Sequence, residues 1–265
     1  MPVASSSRSP NKGSRVHTRI NSYLRAVAPL GREAQPVGPF LATCNPTTDN
    51  PYLNYAIPDD NAAPTVGDVG ALVDWYRTRQ RKPRLEYVSS GAPAVESVLV
   101  AEGFSIEGRL PLMIWEPTGT ARPPDPLDIE LLLPSSDDDL FAMAVVQADA
   151  YDSPQPATRD EIASRRAALA RGAIAVIARD TTTGVVVGAG SCSAIVDGLT
   201  EVAGIGVART HRRRGIARAV TYRLASEAME RGAEVPFLMA AHDAERRIYE
   251  RTGFNTITDV LHISK

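Results

Sequence analysis

Apolar residues recur along this chain with two periods, and their alternation divides it into helices and strands. Val16, Ile20, Tyr23, Leu24 and Val27 return at helical spacing up to the breaker Pro29, which predicts one amphipathic helix. Residues 39–57 predict two extended segments around the turn-rich Asn45-Pro46-Thr47-Thr48-Asp49-Asn50-Pro51. A helix over Val66–Gln80, a strand Leu85–Ser89, a helix Ala94–Glu102 and a strand Ile106–Trp115 follow. Periodicity then lapses over Glu116–Pro126, where proline recurs, so a linker at 118–127 is expected to separate a domain 16–117 from a domain 128–265. Residues 1–15, rich in Ser, Arg, Pro and Gly, are expected to form a mobile tail without fold content.

The second half opens with a short strand, Ile129–Leu133, and a helix capped at Ser135 or Ser136 that carries Leu140, Met143, Ala144 and Gln147. Thr158-Arg159-Asp160-Glu161 has the capping-box form and starts a second helix, closed at Gly172. Strands Ala173–Arg179 and Val185–Val196 flank the turn at Thr181–Gly184, and Asp197-Gly198 marks a hairpin into Thr200–Val207. A helix Gly215–Arg231, a strand Val235–Ala240, a helix Ala244–Arg251 and a strand Thr256–Ile263 complete the pattern. At a constant offset of 150, Leu85–Val88 aligns with Val235–Leu238, and Ala94, Gly103 and Phe104 fall on Ala244, Gly253 and Phe254. The two halves therefore look like related copies.

Composition narrows the classes. Of 265 residues, 43% are hydrophobic and 23% charged, and no apolar run reaches the length of a membrane span, so neither membrane insertion nor disorder is expected. The formal net charge of −2 gives no global reason to bind nucleic acid. The two cysteines, Cys44 and Cys192, lie far apart and lack ligand spacing, so no metal site or disulfide framework is expected, and a reducing cytoplasm fits. Cys192, Trp75, Trp115 and Tyr87 read as core filling, and His17, His211 and His262 have no partner at useful spacing.

The chemistry concentrates at Arg212-Arg213-Arg214-Gly215-Ile216-Ala217, between a strand and a helix. A helix N-terminus presents unpaired N–H groups and the positive end of the helix dipole, glycine permits close backbone approach, and the arginines add charged donors. That combination is an anion site. Its counterpart at the offset of 150, Ala62–Gly67, has no cationic cluster, and Tyr249 falls on Leu99.

Arg212-x-x-Gly215-x-Ala217, followed in order by Tyr249-x-x-x-Gly253-Phe254, resembles the GNAT superfamily of acyl-CoA-dependent N-acyltransferases. The resemblance implies a tandem α/β (α+β) protein of two GNAT-like domains, each a mixed curved sheet flanked by helices, with a degenerate N-terminal half. It implies a bulged strand splaying from its neighbour in the C-terminal half, where Gly204 and Gly206 suit the bulge. Ile205, Gly206 and Val207 would then meet the pantetheine arm of acetyl-CoA or another acyl-CoA, Arg212 to Ala217 the pyrophosphate, and Arg213 and Arg218 the 3′-phosphate.

In the same pattern Tyr249 is the general acid. Glu201, at the start of the splayed strand, is the candidate base, and His242 stands where many relatives have an asparagine, as a pantetheine ligand or a second candidate base. The implied activity is N-acetyl transfer to a primary amine, a small molecule being favoured over a protein amine. Asp149 and Asp152 are candidates to attract an ammonium. The alternatives are a non-catalytic acyl-CoA-binding module and a GNAT-fold enzyme with altered chemistry, such as decarboxylation or aminoacyl-tRNA-dependent transfer. Monomer and homodimer are equally compatible with the sequence.

Overall fold

The computed structural model describes residues 12–46, 48–116, 123, 125–153 and 156–265. The chain forms α1 (Lys12–Val27), β1 (Glu33–Val37), β2 (Phe40–Cys44), β3 (Ala56–Pro58), α2 (Val66–Arg77), β4 (Arg84–Val88), α3 (Val95–Ala101) and β5 (Ser105–Trp115). It continues with β6 (Ile129–Leu132), α4 (Asp137–Ala150), α5 (Asp160–Ala170), β7 (Ile174–Asp180), β8 (Val186–Cys192), β9 (Leu199–Val207), α6 (Ile216–Glu230), β10 (Val235–Met239), α7 (Asp243–Glu250) and β11 (Phe254–Ser264). Most of the expected linker, 118–122 and 124, and most of the expected tail lie outside the described residues. Helix α1 nevertheless begins at Lys12, inside the stretch expected to be tail.

Two compact units emerge, and they divide differently from the limits expected along the chain. One comprises the described residues to Pro111 together with Ile257–Lys265, the other Leu112–Thr256. The C-terminal residues join the first unit because Val260–Ser264 pair antiparallel with Arg84–Val88. Nothing local in a terminal strand reveals so distant a partner.

Within the first unit the strand order is β1-β2-β3-β4-β11, antiparallel except for β3 and β4, which run parallel at Ala56 and Leu85. Strand β1 escapes the hydrophobic pattern because Glu-Ala-Gln-Pro-Val is polar, exposed and contains proline, the composition of an edge strand. Ile20, Leu72, Tyr76, Leu85 and Leu99 are fully buried around α1, α2, β4 and α3.

An ionic cluster crosses this unit. Arg84, 2% exposed, donates to Glu86 through Nη1 and to Glu107 through Nε at 2.7 Å, while its Nη2 lies 3.0 Å from His262 Nδ1. His262, which has no sequence neighbour to suggest a role, is thus tied into a buried network. Burial pushes the Glu107 carboxyl up, but hydrogen bonds from Ser264, Lys82 and Arg84 outweigh it and bring its pKa down to about 2.

In the second unit the order is β5-β10-β9-β8-β7-β6, and β9 and β10 are its parallel pair. Alternation along β7 sends Ile174, Val176 and Ala178 into the core built with Ile216, Val220 and Leu224 of α6. Ala175 and Ile177 pack with Met143 and Val146 of α4 on the opposite face. Helix α4 starts at a capping box: Ser136 Oγ accepts from the Asp139 amide at 3.1 Å, and Asp139 Oδ2 accepts from the Ser136 amide at 3.2 Å.

Helix α6 lies close against β8. A Cβ on Gly188 would come within 2.7 Å of Ile216 Cγ2, and one on Gly190 within 2.8 Å of Leu224 Cδ1. Among the described residues no helix is long and apolar enough to cross a membrane. Nor does any cluster of three His, Cys, Asp or Glu side chains among them offer a metal site.

Candidate active site

The site begins with a fault in β9. Gly206 faces Ala189 and Ala203 faces Ser191, so three steps along β9 oppose two along β8, and one residue is extra at Gly204-Ile205. Gly204 takes the left-handed φ of 65° that the bulge requires. Its carbonyl accepts from Gln147 Nε2 of α4 at 2.7 Å, and a Cβ on Gly204 would strike that same nitrogen at 2.7 Å.

The bulge sets the course of the strand. Strands β9 and β10 pair over Leu199–Glu201 and Val235–Phe237 only, although β9 runs on to Val207 and β10 to Met239. The splay expected of this pair is present. Ile205, Gly206 and Val207 lie on the part of β9 beyond its pairing with β10, and Tyr151 at the end of α4 donates from its hydroxyl to Ile205 O at 3.2 Å. No sequence signal marked Tyr151.

At the far end of β9 the chain makes a short turn over Arg209–His211 and enters α6. Arg213 and Gly215 both take left-handed φ, 63° and 81°, and Gly215 caps the helix without a side chain. Ala219 is the first residue of α6 whose amide reaches a helical carbonyl, Gly215 O at 3.0 Å. The amides of Gly215, Ile216, Ala217 and Arg218 therefore face the helix end without an intrahelical acceptor. Ile216 is buried, Ala217 half-buried, and space is open around the Gly215 Cα.

The arginines divide their work. Arg212 donates to Val207 O at 3.3 Å and to Ala150 O at 3.2 Å, Arg214 to Leu127 O at 3.0 Å, and Arg218 to Arg251 O at 3.1 Å. These three stitch the loop to its surroundings. Arg213 is exposed and has no hydrogen bond or ion pair among the described residues.

Tyr249 sits on the last turn of α7, its ring 9% exposed and packed edge-on against Phe254 at 6.3 Å between centroids. Its hydroxyl has no hydrogen-bond partner among the described residues. Burial pushes the phenol well above its ordinary pKa, and the neighbouring Glu245 and Tyr151 push it the same way. The group is thus a neutral O–H at any physiological pH.

Glu201 is half-buried on β9, in the wall of a cavity of about 240 Å³ that it shares with Arg165, Ser191, Ser193 and the apolar side chains of α4 and α5. His242 is exposed at the N-cap of α7, where its imidazole caps nothing and makes no bond to the described residues. Asp149 and Asp152, read as an attraction for an ammonium, instead face Arg209. Its Nε lies 3.6 Å from Asp149, and its Nη2 pairs with Asp152. A guanidinium already answers both carboxylates.

An open mixed sheet, a central parallel pair splayed at a bulge, and an unfilled helix N-terminus at the end of the splay define a mixed α/β fold. Residues 140–254 match the model of the acetyltransferase (GNAT) family. Members of that family typically use acetyl-CoA.

No curated protein matches the sequence. Among solved structures the chain is similar to a GCN5-related N-acetyltransferase from Kribbella flavida, 26% identical with a TM-score of 0.78, over 94% of this chain and 95% of that one. A GCN5-related N-acetyltransferase from Sphaerobacter thermophilus is 18% identical with a TM-score of 0.64, covering 92% of this chain and 84% of that one. A tandem GNAT protein from the clavulanic acid biosynthesis pathway is 16% identical with a TM-score of 0.57, covering 74% of this chain and 67% of that one. The last two likenesses are of fold.

Proposed function

We propose that the protein is an acyl-CoA-dependent N-acyltransferase that moves an acetyl group from acetyl-CoA to a small primary amine by direct attack in a ternary complex. The observation that carries this reading is the meeting of an open strand edge and an open helix N-terminus at one end of β9. A pantetheine pyrophosphate needs peptide groups along an extended arm and several donors at its anionic end. Residues 205–207 offer the first, and the amides of Gly215–Arg218 with the free guanidinium of Arg213 offer the second.

Bound acyl-CoA supplies an activated thioester carbonyl and a thiolate leaving group. The chain's own residues then handle protons. The acceptor must be a neutral amine at the moment of attack, and Glu201 is the base assigned to take its proton, directly or through water. As the new C–N bond forms and the C–S bond breaks, Tyr249 gives its proton to the departing sulfur. Burial keeps the phenol protonated, so the O–H is in place when the sulfur leaves, although the raised pKa makes it a weaker acid than a solvated tyrosine.

The test is amine-dependent release of free CoA thiol. Purified protein with acetyl-CoA is expected to release thiol in proportion to an amine from a mixed panel, with a product 42 mass units heavier, roughly the acetyl-for-hydrogen difference expected of acyl transfer. Tight acetyl-CoA binding with no thiol release over the whole panel would make the domain a binding module instead.

A further inference from the structure

The cavity beside Glu201 has a second charged wall, and no expectation from the sequence touched it. Arg165 of α5 lines it together with Glu201 and Ala203 of β9. Its Nη1 donates to Gln147 Oε1 at 2.8 Å, and Gln147 in turn donates to Gly204 O, so the guanidinium is oriented by the same carbonyl that marks the bulge. Its Nη2 lies 3.6 Å from Glu161, a half-exposed carboxylate and a weak partner at that distance. Its Nε is buried with no hydrogen-bond partner among the described residues.

A charged donor left buried and unanswered is costly, and such groups are rare unless something else supplies the acceptor. Between Arg165 and Glu201 the lining is mostly apolar, from Leu140, Met143, Leu169 and Ile174. The volume of about 240 Å³ is smaller than the roughly 300–1,000 Å³ of pockets for drug-sized ligands.

Resting on the acyltransferase reading, we propose that this cavity takes an α-amino acid or similar small amino carboxylate, with Arg165 reading the carboxylate and Glu201 the amine. The pairing follows from chemistry. A guanidinium fork held in a fixed plane suits a carboxylate, and a cavity lined by one guanidinium and one carboxylate orients a zwitterion. A simple alkylamine fills the apolar centre but leaves the Arg165 donor as it is. Arg165 is then a specificity residue: it takes no part in proton transfer and acts on the acceptor's KM.

The experiment compares a set of short and apolar L-amino acids, each against its own amide, which keeps shape and amine but removes the charge. With acetyl-CoA and wild-type protein, the best acid is expected to exceed its amide at least tenfold in kcat/KM. Arg165→Gln should remove that ratio by raising the KM of the acid alone, with acetyl-CoA KM unchanged, and Arg165→Lys should restore part of it. Equal use of acid and amide by the wild type, or an equal loss for both in Arg165→Gln, would overturn the proposal and leave the enzyme standing. Thiol release only to amines without an acid group would overturn it in the same way. If acetyl-CoA binds but no amine releases thiol, the underlying acyltransferase reading falls, and this proposal falls with it.

Discussion

Helices α2 and α6 start 150 residues apart, at Val66 and Ile216, and each follows a strand that belongs to the parallel pair of its own unit. Their N-termini are built in opposite ways. At α2, Thr65 Oγ1 accepts from the Asp68 amide at 3.2 Å and Asp68 accepts from the Thr65 amide at 2.8 Å, a closed capping box. Hydrogen bonds donated by the Thr65 hydroxyl, at 2.6 Å, and by the Thr65 amide hold the Asp68 carboxyl below its usual range, so a negative charge occupies the end of the helix.

At α6 the equivalent positions are Gly215 and Arg218. There the amides stay open, and the nearest charges are positive. A helix dipole alone therefore does not make an anion site: the same electrostatic end is filled from within in one unit and open in the other. The strands agree. Strand β3 is three residues long, whereas nine-residue β9 bulges at Gly204-Ile205 and runs on past its partner.

Arginine is spent differently too. In the first unit Arg84 is enclosed by Glu86, Glu107 and His262, whereas in the second Arg213 reaches into solvent. The largest effect is expected from Arg84→Leu, which leaves two carboxylates of a buried network without their cation. It should cost about 3–5 kcal/mol in chemical denaturation. A loss below 1 kcal/mol would mean that the network is held by Lys82 and Ser264 alone. Because Glu107 titrates at about 2 when folded and near 4.5 when unfolded, its contribution is complete above pH 4.5 and fades as pH falls toward 2.

Tyr249 has Leu99 as its counterpart, so the phenol is peculiar to the second unit. Tyr249→Phe should lower kcat by about 10²-fold with acetyl-CoA KM little changed, as removal of a transition-state proton donor requires. An unchanged kcat would leave the phenol a packing residue against Phe254. Somewhat smaller is the graft of one helix end onto the other. Arg218→Asp should set at the α6 end the carboxylate that α2 carries as Asp68, with Gly215 kept because its φ of 81° bars a β-branched cap, and weaken acetyl-CoA about 10- to 100-fold in titration calorimetry, with the fold retained by circular dichroism. Undiminished affinity would separate CoA binding from this helix end.

The reverse change is the mildest. Thr65→Ala opens the α2 cap and should cost about 0.5–2 kcal/mol of stability with kcat and both KM values unchanged. A rise in acetyl-CoA affinity would instead reveal a latent second site.

Much of this was visible in residue order because it is local. The arginine loop, Gly215 and the helix behind it lie within a few residues of one another, and the Gly204 bulge shows as a glycine inside an apolar strand. Glu201 is a candidate from its place near the start of the splayed strand. The cavity whose wall it forms was not visible in residue order, since Arg165 and Gln147 come from separate helices. Asp149 and Asp152 looked available until the fold set Arg209 against them.

By itself, then, the sequence determined the periods that make helices and strands, the loop that opens a helix end, and the absence of that loop in the first half. Those are matters of neighbouring residues, where backbone sterics and capping act over one or two turns. Tertiary structure alone decided that Ile257–Lys265 would complete the first unit, that Arg84 and His262 would share one buried network, and that a glutamine would tie Arg165 to the bulge. Each depends on pairing or burial between residues far apart in the chain, and it is burial that turns an arginine from a solvated charge into a group that must find a partner.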